Sequence, residues 1–91
     1  AYLLFTSGST GVPKAVAVTH DAVVAVAVTC VERLGITPES RVLQFAPVAF
    51  DVSVGNLWSA LLAGASAVIP GPAEWLPGAE LVELLTRERV S

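Results

Sequence analysis

The chain is 91 residues long, 54% hydrophobic and only 14% charged, with a net charge of −3. At this length the surface-to-volume ratio is high, so such apolarity does not suit an independent soluble domain and points to an internal piece of a larger one, truncated at both ends. Five scattered cations exclude a nucleic-acid footprint, and the longest uninterrupted apolar run, Ala22 to Val28, falls well short of the roughly 18–20 residues that cross a bilayer.

Two strands are predicted at the start, Ala1 to Thr6 and Ala15 to Thr19, from their β-branched and aromatic content. Between them lies Thr6-Ser7-Gly8-Ser9-Thr10-Gly11-Val12-Pro13-Lys14, with four hydroxyl side chains, two glycines and a closing lysine. Glycine lets backbone approach a ligand, and successive N–H groups form a nest for an anion. The hydroxyls of Thr6, Ser7, Ser9 and Thr10 add donors that rotate to suit phosphate oxygens, and Lys14 adds a point charge. The same residue types also make ordinary turns and linkers. The run departs from the G-x-x-x-x-G-K-[ST] phosphate loop, because the Gly8 to Lys14 spacing differs and Ala15 follows the lysine.

The next segment, Asp21 to Leu34, alternates Val and Ala in a strand-like way, but its length and its ends favour a helix. Thr19 supplies an N-cap, Asp21 suits the first turn, Arg33 the last, and Gly35 lies just beyond. The near absence of a polar face predicts burial on most sides, with Cys30 part of that packing. A lone cysteine forms no internal disulfide, and no signal-peptide pattern opens the chain, which together suggest a cytoplasmic setting. His20 has no ligating or nucleophilic neighbour in sequence and reads as a capping or packing residue.

Thr37 to Ser40 is a predicted turn, and Val42 to Ala46 a strand ending at Pro47. After Phe50-Asp51-Val52-Ser53, the residues Val54, Leu57, Trp58, Leu61 and Leu62 recur at helical spacing and Gly64 ends the run, with Trp58 assigned to the core. Ala65 to Ile69 reads as a buried strand and Ala79 to Glu88 as a helix packed through Leu81, Val82, Leu84 and Leu85, with a Pro/Gly-bracketed loop between them. The alternation predicts an α/β layered fold with parallel strands in the second half. Asp51, at a strand-to-helix junction, reads from spacing alone as a helix N-cap.

From Tyr2 through Lys14 the sequence resembles the signature loop of the AMP-forming adenylating enzymes. That superfamily holds acyl-CoA synthetases, luciferases and the adenylation domains of nonribosomal peptide synthetases. Ala15 departs from the glycine that usually follows the lysine, which matters only where that backbone needs a positive φ. Phe50-Asp51-Val52-Ser53 is similar to a second motif of peptide-synthetase adenylation domains, and Leu61 to Ala65 also resembles the family, while Asn56 stands where a glutamate is frequent.

The resemblance implies a partial AMP-binding domain over residues 1–91, a layered sheet-and-helix piece of the large N-terminal domain of an adenylate-forming enzyme. It implies that Thr6, Ser7, Gly8, Ser9, Thr10, Gly11 and Lys14 hold the phosphates of ATP, with Lys14 the catalytic cation and Mg2+ accompanying the nucleotide. It further implies that Asp51 pairs with the α-ammonium of an amino acid, and that Phe50, Val52 and Gly55 line its pocket. The acyl group would then pass to phosphopantetheine on a carrier-protein domain. No metal-ligand cluster is visible in the sequence. An acyl-CoA synthetase shares the loop but gives Asp51 no ammonium to meet.

Overall fold

The computed structural model describes residues 1–72, 74–75 and 77–91. Ala73 and Leu76, within the loop expected between Pro70 and Gly78, lie outside the described residues. Strand β1 (Tyr2–Thr6) pairs antiparallel with β2 (Lys14–Val18), in a register running from Tyr2 opposite Val18 to Thr6 opposite Lys14. Helix α1 (His20–Leu34) follows at once. Thr19 caps it as expected, its Oγ1 accepting from the Ala22 N–H at 3.2 Å, and Gly35 ends it with φ 63° and an N–H bonded to the Val31 carbonyl.

Strand β3 (Arg41–Leu43) and strand β4 (Ser66–Val68) pair in parallel, joined by helix α2 (Asp51–Leu62), and helix α3 (Ala79–Arg87) closes the chain. Parallel strands need a crossover of this kind, and α2 supplies it. Helix α2 packs on α1 and lies over both strands. β3 is shorter than its predicted span. Gln44 N–H still bonds the Val68 carbonyl at 2.8 Å, but its Nε2 then bonds Ala46 O at 3.0 Å and Phe50 N–H bonds Pro47 O at 2.8 Å, turning the chain into α2. The far end of the chain is tied to β3. Arg41 N–H donates to Ser91 Oγ at 3.0 Å, Ser91 N–H returns to Arg41 O at 3.1 Å, and Arg41 pairs with Glu88 at 2.8 Å. Nearby, the Gly71 N–H and then Arg87 hold the Glu74 carboxyl below the usual carboxylate range.

Burial is far thinner than the sequence suggests. Among the described residues the buried hydrophobic side chains are Ala27, Ala60, Val68 and Leu84. Helix α1 buries only Ala27, and Val24, Val26 and Val28 are exposed, so its expected burial on most sides does not hold within these residues. Cys30 is half-buried. Trp58, assigned to the core, is 45% exposed, Val82 of α3 is exposed, and of the strand expected at Ala65 to Ile69 only Val68 is buried. The reason is geometric: the three helices and two two-stranded sheets among the described residues present more apolar faces than they can cover. A compact chain of 9.4 kDa has about 5,000 Å2 of surface, against 6313 Å2 here. Its radius of gyration is 14.8 Å, where about 12 Å fits a compact chain of this length.

A consequence follows for the 91 residues expressed alone. With so small a core and so many exposed valines and leucines, they are expected to lack a cooperative urea transition and to give a poorly dispersed amide spectrum. A sharp two-state transition with dispersed amides would show that this small core suffices.

Candidate functional site

The hydroxyl-rich stretch is the loop of the β1–β2 hairpin. Its geometry explains both glycines. A Cβ on Gly8 would collide with the backbone carbonyl of Val12, so no larger residue fits without moving the loop. Gly11 has φ 79° and donates its N–H to the Gly8 carbonyl at 3.0 Å, closing a tight turn. Around this frame Thr6, Ser7, Ser9, Thr10 and Lys14 are all exposed. Among the described residues Lys14 makes no ion pair.

The cross-strand register places Lys14 directly opposite Thr6, at the mouth of the loop. Because strand side chains alternate faces, Tyr2, Leu4 and Thr6 share one face with Val18, Val16 and Lys14. Ala15 lies on β2 opposite Phe5, and Arg89 is the only non-glycine residue with positive φ among those described. The Ala15 backbone is extended, so its methyl costs nothing there. Asn56 lies within α2 and accepts at its carbonyl from Ser59 Oγ at 3.1 Å, which does not account for its departure from glutamate.

The second motif sits at the start of α2. Phe50, not Asp51, is the N-cap residue, with φ −102° and ψ 140° and no side-chain capping bond. Asp51 is the first helical residue, exposed, with Oδ1 accepting its neighbour Val52 N–H at 2.8 Å. The capping role suggested by spacing therefore shifts by one position. An acidic side chain in the first turn still faces the positive end of the helix dipole. Ser53, 4% exposed, holds the junction together: its Oγ donates to Phe50 O at 2.6 Å and lies 3.3 Å from Val48 O. Ser53→Ala is expected to cost the complete domain about 0.5–1.5 kcal/mol, seen as a lower urea midpoint at unchanged m-value. An unchanged midpoint would show that the bond is not needed to hold the turn.

The two motifs, some thirty-five residues apart in sequence, meet at one cavity of about 450 Å3. Thr6 and Ser7 of the loop line it, as do Phe50 and Asp51 of the helix junction, with Tyr2, Val16 and Val18 as apolar walls. That volume lies within the roughly 300–1,000 Å3 of small-molecule sites. Gly8, Ser9, Thr10, Gly11 and Lys14 stand outside its lining, on the hairpin loop beyond Thr6 and Ser7. Val52 is 56% exposed and lines neither this cavity nor the smaller one of about 80 Å3 beside Asp51, which Gly55 does line. Tyr2 and Val18, which line both, were not singled out from the sequence. Counting back in twos from Thr6 and forward from Lys14 would have found them.

Chemically, exposed hydroxyls and amides around a cation can hold a polyanion, and a carboxylate at the far wall can hold an ammonium group. Among the described residues no group of three or more His, Cys, Asp or Glu could hold a metal ion, and no helix is long and apolar enough to cross a membrane.

A family model described as AMP-binding enzyme matches residues 1–91. The chain is 50% identical over all 91 residues to a linear gramicidin synthase of Brevibacillus parabrevis, of which it covers 1%. Among solved structures it is similar to the Vibrio cholerae adenylation domain AlmE in complex with glycyl-adenosine-5'-phosphate, with a TM-score of 0.87 and 27% identity over 99% of this chain and 16% of that one. It is also similar to the nonribosomal peptide synthetase FmoA3 in its alpha-methyl-L-serine-AMP bound form, with a TM-score of 0.86 and 33% identity over 100% of this chain and 10% of that one. The chain therefore spans a small share of the proteins it matches.

Proposed function

Because the chain belongs to the AMP-binding enzyme family, we propose that it is part of an amino-acid-activating adenylation domain of a nonribosomal peptide synthetase. The complete domain joins an amino-acid carboxylate to the α-phosphate of ATP, releases pyrophosphate and passes the aminoacyl group to the phosphopantetheine thiol of a carrier domain. The observation that carries the reading is the cavity that unites the hydroxyl-rich loop with Asp51. Its support from relatives is that the AlmE and FmoA3 structures hold an aminoacyl adenylate.

In this reading the loop from Thr6 to Lys14 holds the β- and γ-phosphates while they become the leaving group. The hydroxyls and backbone amides orient those oxygens, and Lys14 offsets the charge that builds as the α-phosphate bond to pyrophosphate breaks. Mg2+ bound to the nucleotide would supply further shielding of phosphate charge; among the described residues no cluster of His, Cys, Asp or Glu would hold it. Asp51 holds the α-ammonium, which aims the carboxylate of the same amino acid at the phosphorus. Phe50 and Gly55 belong to the amino-acid side of the site, whereas Val52 lies outside both cavities. The setting proposed is cytoplasmic, where ATP and amino acids are both available.

The test is ATP–pyrophosphate exchange by the complete domain, with a panel of amino acids set against their desamino analogues. Exchange driven by one or a few amino acids and not by the matching desamino acids is expected. Exchange driven by the desamino acids alone would favour an acyl-CoA synthetase instead.

A further inference from the structure

Tyr2, Val18 and Asp51 line both the large cavity and the smaller one of about 80 Å3, so the two meet at the Asp51 end of α2. The inner wall of the smaller cavity is built from two helices: Val23 and Val26 of α1, and Val54 and Gly55 of α2. A Cβ on Gly55 would stand 3.8 Å from Val26 Cγ1, an ordinary van der Waals contact. Glycine thus leaves the cavity open towards α1, and the Val26 methyl faces it from the other side. Beyond Asp51 the lining carries no charged group. A water claims about 30 Å3 in the liquid, so the space takes roughly two to three groups of that size.

We infer that Val26 of α1, facing the cavity that Gly55 lines, sets the length of amino-acid side chain accepted there. The inference rests on the reading that Asp51 holds the α-ammonium. A side chain leaving an α-carbon anchored at Asp51 runs over the paired Tyr2 and Val18 side chains and reaches Val26 across the bare Gly55 backbone. The substrate class is a straight, uncharged aliphatic α-amino acid. Val26 is exposed within these residues. Once the cavity is covered and the substrates are bound, a charged terminus there would lose water and find no partner in the lining, and is disfavoured on that ground. Val26 is a specificity residue here; it acts by volume and touches neither the reacting carboxylate nor the phosphates.

The experiment measures exchange by the complete domain with alanine, 2-aminobutyrate, norvaline and norleucine, for the wild type, Val26→Ala and Val26→Leu. The wild type is expected to prefer a member longer than alanine. Val26→Ala should move the preference to the next longer homologue and Val26→Leu to the next shorter. The kcat/KM ratio between neighbouring homologues should change at least about fourfold, the ~0.8 kcal/mol of one buried methylene. KM for ATP should stay unchanged in both variants, which reports that the fold and the phosphate loop are intact. One length profile shared by all three proteins, or a charged amino acid outrunning the whole series in the wild type, overturns the inference while leaving amino-acid activation standing. Exchange that no amino acid drives, but desamino acids do, overturns the underlying reading and the inference with it.

Discussion

Asp51→Ala in the complete domain should lower kcat/KM for the preferred amino acid by roughly 100-fold or more, corresponding to about 3 kcal/mol, the lower end for breaking an ion pair closed off from water. Asp51 is exposed, and among the described residues its carboxylate hydrogen-bonds only to its neighbour's N–H. The exclusion of water must therefore come from the bound substrates and from whatever covers the cavity mouth. Once shut in, an α-ammonium without its carboxylate is an uncompensated charge, and that cost falls on amino-acid binding. KM for ATP should change little, because the phosphates lie on the hairpin side. The desamino analogue brings no ammonium, so its handicap against the amino acid should vanish in Asp51→Ala. A double-mutant cycle on exchange rates isolates that coupling. If both substrates suffered alike, Asp51 would be acting only through the first turn of α2, and the acyl-CoA synthetase alternative would return.

Lys14→Ala should raise the ATP requirement or slow exchange by roughly 10–100-fold, the effect of losing one charge-assisted contact of about 1.5–3 kcal/mol. The position argues for a local effect. Lys14 begins β2 opposite Thr6, its side chain is exposed, and among the described residues it forms no ion pair that its loss would break. Stability should therefore hold while exchange falls, and KM for the amino acid should stay near the wild-type value. Wild-type exchange at every ATP concentration would remove Lys14 from the phosphate site. A drop in the unfolding midpoint that matches the loss of rate would assign it a structural role instead.

Local signals in the sequence determined the helices and the loop. Thr19 and Gly35 bounded α1 because a cap and a left-handed glycine act within a few residues of themselves. The stripe from Val54 to Leu62 was legible as a helix for the same reason, and the strand–helix–strand order around it implied the parallel pair that β3 and β4 form. Gly8 and Gly11 could be seen as special, though only the fold gives the reason: one meets the Val12 carbonyl and the other needs positive φ.

Tertiary structure alone decided what the loop and Asp51 have to do with each other. Nothing local links Thr6 to Asp51. They share a cavity because the hairpin, α1 and α2 come together in space. The same holds for Tyr2, Val18 and Val26, whose side chains look like any core residue until register and helix packing bring them to the smaller cavity beside Asp51. Burial was the part the sequence misstated, with Trp58 and the valines of α1 read as core and found exposed. Hydrophobicity records that a side chain favours leaving water. Whether it does so depends on a second surface to meet it, which no residue carries in its own identity.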